Sequence, residues 1–320
     1  MRIAVTGGAG FIGSHLVERL LALGHEVRCL ENFDAYYDEA LKRRNLGRAL
    51  DSSRFRLVEG DIRDAAAMDP VLEGGSDAVV HLAARPGVRR SLEEPAAYAQ
   101  INVVGTINVL EACRLHRVGR IVVASSSSVY GRSPDVPFRE DESRLMPASP
   151  YGASKLAAEQ FSRVFHELYG IPVTCLRFFT VYGPRQRPDM AIAKFVRCVS
   201  TGTPLPMYGD GSTRRDYTYV RDVVEGVVGA IERSAGYRVY NLGTEDTVSL
   251  RELIATIERA VGRRAVLEQH PDQPGDVPLT HASVARAARE LGYAPRVGIE
   301  QGVRAYVAWL RGTAPAAVEA

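Results

Sequence analysis

The chain has 320 residues, of which 46% are hydrophobic and 24% are charged, and its formal net charge is +2. This composition is ordinary for a globular protein with a substantial buried core. The sequence contains no basic block with interleaved aromatic residues, which disfavours nucleic acid as a partner. No apolar run approaches the roughly 18 residues that a membrane helix requires, so we predict no membrane partner either.

The cysteines and the first residues bear on the cellular compartment. Cys29, Cys113, Cys175 and Cys198 lie far apart without a CxxC spacing, which favours free thiols over a zinc site. Residues 1–5 run directly into an apolar strand pattern rather than into a secretory signal. We therefore expect a reducing, cytoplasmic location and no metal ligands.

Short apolar runs rich in Val and Ile alternate with helical patterns along the first half of the chain. This alternation predicts an α/β fold of the Rossmann type, a doubly wound parallel sheet with helices on both faces. The predicted strands are residues 3–6, 27–30, 55–59, 78–81, 120–125 and 173–178. The predicted helices cover residues 14–23 and 102–115, and a third begins near Tyr151.

Turn signals multiply after Phe178 and predict a smaller, mixed α/β region that caps the C-terminal edge of the sheet. Asp222 is the predicted N-cap of a helix that runs to about residue 234, and residues 237–242 are predicted to return to the main sheet. We therefore expect a first domain (residues 1–176 and 222–244), a second domain (177–221 and 245–311) and a disordered tail (312–320).

A glycine-rich turn lies between the first predicted strand and the helix that follows it. Gly7 permits a sharp turn, Gly10 permits close approach of a pyrophosphate, and Gly13 permits close packing of the helix on the strand. The start of the helix, at Phe11 and Ile12, offers free N–H groups to phosphates. With an acidic residue about 20 positions further on, this context predicts a dinucleotide site in the first domain.

The acidic residue is Glu31, at the end of the second strand. A carboxylate there hydrogen-bonds ribose hydroxyls and repels a 2′-phosphate, which favours NAD over NADP. The basic run Lys42-Arg43-Arg44 could accept a 2′-phosphate, which leaves NADP as an alternative. The same run could instead form a solvated helix face. Further residues predicted to line the cofactor site are Asn32, Asp61 and Ile62 beside the adenosine, and Leu82, Ala83 and Ala84 beneath the cofactor.

Tyr151 and Lys155 are four residues apart and so lie on one face of a helix. A tyrosine with its unperturbed pKa near 10 is a poor base at neutral pH. A lysine charge ~4 Å away, at an effective dielectric near 20, lowers that pKa by about three units. We therefore predict that Tyr151 accepts a hydroxyl proton as hydride leaves the same carbon. A hydroxyl from the serine run at residues 125–128 orients the reacting oxygen.

These motifs, in this order, resemble those of extended short-chain dehydrogenases/reductases of the nucleotide-sugar epimerase group, over residues 1 to about 310. The resemblance implies that Ser126, which stands three residues before Val129-Tyr130-Gly131, is the catalytic serine. It implies that Ser127 and Ser128 lie beside it and face the sugar. It also implies that Asn102, Ser125 and Phe178 belong to the cofactor site. Family members commonly dimerise through two helices per subunit, so a homodimer is expected.

Two later segments resemble the nucleotide-recognition elements of the same family. In residues 209–217, Arg215 corresponds to the arginine that grips the diphosphate, and a guanidinium fork suits phosphate oxygens. Residues 273–277 resemble a late motif that reaches the nucleotide ribose and phosphates. The implied substrate is a UDP-sugar, bound by the second domain. The resemblance adds Val88, Arg89, Met190, Tyr208, Arg215, Gln273 and Asp276 to the substrate site.

Three stretches resemble family members that act on glucuronate: residues 84–91, residues 178–191 and the motif at residues 273–277. Thr180 stands where epimerases of neutral sugars usually have Asn, and a hydroxyl with nearby arginines suits a sugar carboxylate. Arg187 is the preferred candidate for binding this carboxylate, and Arg185 and Arg89 are the next candidates. The function implied is NAD-dependent C4 epimerisation of UDP-glucuronate to UDP-galacturonate through a 4-keto intermediate.

The alternatives are a 4-epimerase of neutral UDP-sugars, a UDP-glucuronate decarboxylase and an NAD-sensing scaffold on the same fold. Decarboxylases and sugar 4,6-dehydratases carry an acidic residue where this chain has Ser128, which disfavours dehydration. A scaffold would have a broken Tyr/Lys pair, and here the pair is intact.

Overall fold

Seven parallel strands form the main sheet. The structure, a computed structural model, describes residues 1–233, 235–271 and 276–313. Its strands are β1 (Arg2–Thr6), β2 (Glu26–Glu31), β3 (Phe55–Glu59), β4 (Ala78–His81), β5 (Ile121–Ser126), β6 (Val173–Phe178), β7 (Thr180–Tyr182), β8 (Leu205–Tyr208), β9 (Arg214–Tyr219), β10 (Tyr237–Leu242), β11 (Thr247–Ser249) and β12 (Leu267–His270). The order in the main sheet is β10-β6-β5-β4-β1-β2-β3. The predicted Rossmann-type fold is confirmed, and each predicted strand ends within one residue of the observed one.

The helices on the two faces of this sheet bury alternate residues of its strands. In β1, Ile3 and Val5 belong to one buried apolar cluster, whereas Ala4 belongs to another on the opposite face. Successive side chains of a strand point to opposite faces, so a strand covered on both sides is apolar throughout. This is why these strands read as continuous Val- and Ile-rich runs.

The helices of the described chain agree in part with the prediction. They are α1 (Phe11–Ala22), α2 (Glu39–Asn45), α3 (Gly47–Leu50), α4 (Asp69–Leu72), α5 (Val88–Glu93), α6 (Pro95–Tyr98), α7 (Gly105–Leu115), α8 (Pro150–Tyr169), α9 (Ala191–Thr201), α10 (Val220–Arg233), α11 (Leu250–Val261), α12 (Ala285–Leu291) and α13 (Ile299–Leu310). A π-helix over Ala99–Val104 leads into α7, so the predicted helix over residues 102–115 is not α-helical throughout. No described helix has the length and apolarity needed to cross a membrane.

The prediction that Asp222 is an N-cap is wrong. Asp222 lies inside the first turn of α10, and its Oδ2 accepts a hydrogen bond from the distant backbone N–H of Val297 at 3.0 Å. The helix begins earlier because Val220 and Val223 bury their side chains in the core. Ser234, the predicted end of this helix, lies outside the described residues, as does the predicted tail beyond Thr313.

The chain after β6 builds two small sheets and a second core. Their strand orders are β11-β9-β7 and β12-β8. Helices α9, α11 and α13 contribute most of the buried side chains that pack there, among them Phe195, Ile257 and Tyr306. Strand β10 pairs with β6 of the main sheet, as predicted for residues 237–242. The boundaries drawn between two domains remain predictions.

Candidate functional site

A cavity opens at the C-terminal edge of the main sheet, where β1, β2, β4, β5 and β6 end. Residues from all these strand ends and from the N-terminal end of α8 line it. The parallel arrangement brings these ends to one edge, which is where open α/β sheets bind ligands. The predicted residues that line the cavity are Gly7, Gly10, Phe11, Ile12, Glu31, Asn32, Asp61, Ile62, Leu82, Ala83, Ala84, Ser125, Ser126, Tyr151, Lys155, Phe178, Thr180, Arg187 and Met190.

The glycine-rich turn requires its glycines for steric reasons. Gly7 has a φ of +74°, and a Cβ at this position would lie 2.7 Å from the backbone nitrogen of Ala83. A Cβ on Gly13 would collide with the carbonyl oxygen of Gly7. Helix α1 begins directly after Gly10, which makes no side-chain cap, so its first N–H groups face the cavity edge. An unblocked helix N-terminus of this kind suits a phosphate anion.

Glu31 is buried beside this turn and is held by backbone N–H groups. Its carboxylate accepts hydrogen bonds from the amides of Ala9 (3.1 Å) and Phe33 (3.0 Å). Burial raises the pKa of Glu31, while Lys42 and the backbone amides act in the opposite direction. These contacts fix the orientation of the carboxylate at the cavity wall, and each oxygen keeps a second lone pair for a ligand hydroxyl.

Asn32 and Asp61 form the neighbouring part of the wall. Asn32 Nδ2 donates to Asp61 Oδ2 at 2.9 Å. Hydrogen bonds from the Arg63 side chain hold the pKa of Asp61 at about 2, so this carboxylate is anionic at neutral pH. The Ile62 side chain packs against Gly105. A Cβ on Gly105 would lie only 2.6 Å from the Ile62 side chain, so this contact depends on glycine.

Tyr37 and Lys42 also line the cavity. Nothing in the sequence indicated Tyr37, and Lys42 was indicated only as part of a run that could accept a 2′-phosphate or form a solvated helix face. The Tyr37 hydroxyl is buried and has no hydrogen-bond partner among the described residues. Lys42 is only 6% exposed, not part of a solvated helix face; it donates to the Asp34 carbonyl at 2.6 Å and its Nζ lies 4.8 Å from the Tyr37 ring centroid. An orphaned hydroxyl, a carboxylate and an ammonium at one end of the cavity fit the polar groups of a dinucleotide. Lysine is scarce in this chain, and this scarcity was the feature of the sequence that could have indicated a role for Lys42.

Tyr151 lies at the start of α8, which is capped by Ser149 through a 3.1 Å bond from the Gly152 N–H. Ser126, at the end of β5, lines the cavity beside Tyr151, and its hydroxyl lowers the pKa of the Tyr151 hydroxyl. Ser127 and Ser128 form a short 3₁₀ turn just outside the cavity lining, and the Ser128 N–H donates to Ser126 Oγ at 3.1 Å. The geometry therefore favours Ser126 over its two neighbours as the partner of Tyr151.

The electrostatics around Tyr151 differ from the expectation. Lys155 Nζ is buried and donates to the backbone carbonyl of Ala124 at 2.8 Å, and burial lowers its pKa to about 8. Burial raises the pKa of Tyr151, opposed by the hydrogen bond from Ser126 and by the positive charge of Arg187. The predicted lowering of this pKa by about three units is not found in the protein alone, where burial raises the pKa and the Lys155 ammonium is directed at the Ala124 carbonyl.

Arg187 extends into the cavity from the segment between β7 and α9. Its Nε and Nη2 each form a 3.0 Å contact with one carboxylate oxygen of Asp189. Its guanidinium lies 5.6 Å from the ring centroid of Tyr36, another cavity residue that the sequence did not indicate. Thr180 and Met190 line the same cavity. An arginine, a hydroxyl and Tyr151 thus face one volume.

Two predicted site residues serve other purposes. Asn102 does not line the cavity; its amide accepts from the Arg85 N–H (2.7 Å) and donates to the Arg85 carbonyl (3.0 Å). It therefore shapes the loop after β4, and its place in the cofactor site remains a prediction. Arg185, whose backbone has a φ of +64°, lies outside the cavity lining, and its side chain pairs with Glu18 of α1 at 2.6 Å.

The residues predicted to bind the nucleotide lie outside the cavity lining. Arg89 pairs with Asp276 at 3.4 Å, and its guanidinium lies 4.8 Å from the Tyr208 ring centroid. Arg215 donates to the carbonyl of Arg214 at 2.9 Å, and its charge reaches the neighbouring Tyr217. Val88 opens α5 and also lies outside the lining. Gln273 lies outside the described residues.

Comparisons with known proteins agree with this geometry. A model of the NAD dependent epimerase/dehydratase family matches residues 3–243. The chain is 39% identical to a UDP-glucuronate 4-epimerase of Thermodesulfobacterium geofontis, over 95% of this chain and 94% of that protein. The crystal structure of UDP-glucuronic acid 4-epimerase from Bacillus cereus, in complex with UDP-glucuronic acid and NAD, superposes with a TM-score of 0.92. It is 35% identical and covers 98% of this chain and 99% of that one.

A dTDP-glucose 4,6-dehydratase from Streptomyces venezuelae (DesIV), with NAD and TYD bound, superposes almost as well. Its TM-score is 0.91 at 34% identity, over 98% of this chain and 97% of that one. Overall shape alone therefore does not separate epimerases from dehydratases, and the site residues must do so. The length of the match and the level of identity establish that the chain belongs to the NAD dependent epimerase/dehydratase family.

Proposed function

We propose that this protein is an NAD-dependent isomerase that converts UDP-glucuronate to UDP-galacturonate by inverting C4. One observation carries the proposal: Tyr151 and Ser126 share a cavity with the glycine-rich turn and with Arg187. A base, a dinucleotide site and a carboxylate-binding group around one volume are what this reaction would require. The relatives named above, which act on or bind UDP-glucuronic acid, support the same substrate.

The cofactor fits the residues that line the cavity. We assign the pyrophosphate to the turn at Gly7 and Gly10 and the adenosine ribose to Glu31, whose carboxylate disfavours a 2′-phosphate. Lys42 and the unpartnered Tyr37 hydroxyl lie at the same end of the cavity as Glu31. When bound, NAD accepts hydride from C4 and returns it to the opposite face of the sugar ring.

Tyr151 is assigned as the base that accepts the C4 hydroxyl proton and later returns a proton to the 4-keto oxygen. Ser126 holds the phenol oxygen in place, and Arg187 supplies the positive charge that favours its ionised form. Lys155, anchored on the Ala124 carbonyl, keeps a second cation in the cavity wall. Proton transfer by a positioned group of this kind contributes about 10²- to 10⁴-fold.

Arg187 and Thr180 are assigned to the substrate carboxylate. Oxidation at C4 makes glucuronate a β-keto acid, which loses CO₂ readily when the breaking C5–C6 bond aligns with the ketone. An epimerase therefore has to hold the carboxylate in another orientation, by directional hydrogen bonds. Arg187 offers a guanidinium and Thr180 a hydroxyl at the cavity wall, and Ser127 and Ser128 lie beside it. We assign Arg89, Tyr208, Arg215 and Asp276, with Gln273, to the UDP moiety.

Specific residues disfavour the alternative functions. Dehydration requires a carboxylate that removes the C5 proton, and this chain has Ser128 where related dehydratases carry an acidic residue. A neutral-sugar 4-epimerase would have no use for Arg187 at the wall of the sugar site. An NAD-sensing scaffold would not need the Tyr151–Ser126 pair, which is assembled here.

We further propose that the protein is a homodimer. Leu115 of α7 and Phe161, Val164 and Leu168 of α8 expose large apolar side chains. The three α8 residues recur at helical spacing and so form a stripe that a second copy can cover. A cytoplasmic location is proposed on the four buried free cysteines, which suit a reducing compartment.

The decisive experiment incubates the purified protein with UDP-glucuronate, without added NAD, and identifies the product by NMR. We expect UDP-galacturonate, an equilibrium approached from either uronate, and NAD released on denaturation. A UDP-pentose as the main product would establish a decarboxylase instead. Conversion of UDP-glucose with inert UDP-glucuronate would establish a neutral-sugar epimerase.

A further inference from the structure

Three side chains of α8 contact three consecutive residues of β5. Tyr151 lies near enough to the Ser126 hydroxyl for Ser126 to lower its pKa, and Lys155 donates to the Ala124 carbonyl at 2.8 Å. The third is Glu159, whose Oε1 accepts a hydrogen bond from the Ser125 hydroxyl. Residues four apart on a helix share one face, so Glu159 continues the line of Tyr151 and Lys155 by one more turn.

Glu159 is also paired with a buried arginine of the next strand. Arg177 Nε donates to Oε1 at 2.9 Å and Nη2 donates to Oε2 at 2.8 Å, and the carboxylate side chain is only 2% exposed. Arg177 lies directly opposite Ser125 in the register between β6 and β5. The Glu159 carboxylate of α8 is therefore hydrogen-bonded to two residues that lie opposite each other on adjacent strands, Ser125 of β5 and Arg177 of β6.

Such a pair is a weak source of stability but a strong geometric constraint. The desolvation of two buried charges offsets most of their attraction, and an apolar pair of similar volume often stabilises a protein as well. The bidentate hydrogen bonds between the Arg177 guanidinium and the Glu159 carboxylate, by contrast, require the two groups to lie in one plane. Its position two turns beyond Tyr151 restricts sliding or rotation of α8 against β5.

We infer that Glu159 is a positioning residue for the reaction, which holds α8 on β5 so that Tyr151 stays at Ser126 and Lys155 stays at the Ala124 carbonyl. This inference rests on the proposed function only through the role given to Tyr151. Neither the catalytic motif nor the cofactor turn includes Glu159 or Arg177.

The charge of Glu159 also acts on Lys155. The groups that face the ammonium are Glu159 on its own helix, Cys175 on β6 and His81 on β4. Burial lowers the pKa of Lys155 to about 8, and Glu159 and Cys175 oppose this. Burial, with the Lys155 charge, lowers the pKa of His81 to about 3, so His81 is neutral near pH 7. Without the Glu159 charge, Lys155 loses its proton at lower pH.

The test compares Glu159→Gln and Glu159→Asp with the exposed control Glu167→Gln. Glu167 lies on the same helix and pairs with Arg163 at the surface. For each full-length protein, kcat and KM for UDP-glucuronate are measured across pH, together with the thermal midpoint and the bound NAD. We expect Glu159→Asp to keep the pH profile and to lower kcat by about 10- to 100-fold, because it retains the charge but shifts the helix.

Glu159→Gln is expected to lower kcat and to move the alkaline limb of the kcat profile to lower pH, with KM and bound NAD little changed. A merely structural role would lower the thermal midpoint and leave kcat and the pH profile of the folded fraction unaltered. Glu159→Asp retains a carboxylate for Arg177, so it decides the question even where the Gln variant fails to fold. A wild-type kcat in the Asp variant overturns the inference. A fully active Tyr151→Phe variant would instead overturn the proposed function.

Discussion

Arg187 and Asp189 form a two-point ion pair at the wall of the cavity that holds Tyr151. Nε–Oδ1 and Nη2–Oδ2 are both 3.0 Å, so one edge of the guanidinium is already occupied by a carboxylate of the protein itself. A uronate substrate would have to displace Asp189 or use the remaining edge. Asp189 therefore competes with the very group that Arg187 is proposed to bind.

Replacing Asp189 with Asn removes this competition. We expect the KM for UDP-glucuronate to fall by about three- to tenfold, since a charge-assisted hydrogen bond differs from a neutral one by roughly 1 kcal/mol. The matched control is Asp141→Asn, because Asp141 pairs with Arg139 in the same two-point way, at 3.1 Å, on an exposed loop. Steady-state kinetics of both variants test this, and an unchanged KM for the Asp189 variant contradicts it.

Tyr151→Phe removes the proposed base. We expect kcat to fall by about 10²- to 10⁴-fold while the folded structure and the bound NAD are retained. The measurement is the rate of UDP-galacturonate formation, with NAD content and circular dichroism as controls. Interconversion of the uronates at undiminished speed would rule out the assigned mechanism.

The pH dependence of kcat should report the charge of Arg187. Burial raises the pKa of Tyr151, so the ionised phenol is scarce at low pH and kcat rises with pH on the acid limb. Arg187 lowers this pKa, and replacing it with Met therefore moves the acid limb to higher pH. Arg185→Met is the control, since Arg185 pairs with Glu18 away from the cavity. A limb that stays in place with Arg187→Met would show that another cation acts on Tyr151.

Thr180→Ala tests the proposed hold on the carboxylate. Without its hydroxyl, the C5–C6 bond of the 4-keto intermediate reaches alignment with the ketone more often, and the share of UDP-pentose should increase. Product ratios are measured by NMR and compared with Thr203→Ala, a change at an exposed loop position. Identical ratios in the Thr180 variant and the wild type would show that Thr180 does not hold the carboxylate.

Gly7→Ala separates backbone strain from the loss of the dinucleotide site. The new Cβ would lie 2.7 Å from the Ala83 nitrogen at a φ of +74°. The control Gly170→Ala has a similar φ of +70° with nothing within 4 Å of the Cβ. We expect both variants to lose about 1–2 kcal/mol to left-handed strain, and only Gly7→Ala to lose its bound NAD as well. Equal NAD content in the two variants would contradict the assignment of the turn.

Local patterns in the sequence determined the sheet and the motifs placed on it. Strands buried on both faces require continuous apolar runs, and the run over Val173–Phe178 is the observed β6 to the residue. The glycines before α1 and the Tyr151–Lys155 spacing are also local, because steric clashes and the helical repeat act over a few residues. The family resemblance rests on these same segments.

Only the tertiary structure decided how side chains from distant segments are used. Asn102 and Arg185 read as ligand-binding residues, yet contacts with Arg85 and Glu18 engage them elsewhere. Lys42 read as a surface residue, yet the fold buries it beside the cavity. No local rule selects among such partners, since each contact depends on where a remote segment arrives and on how burial changes its energy. The motifs in the sequence thus indicated the reactive groups, and tertiary packing determined that the charge of Arg187 acts on Tyr151.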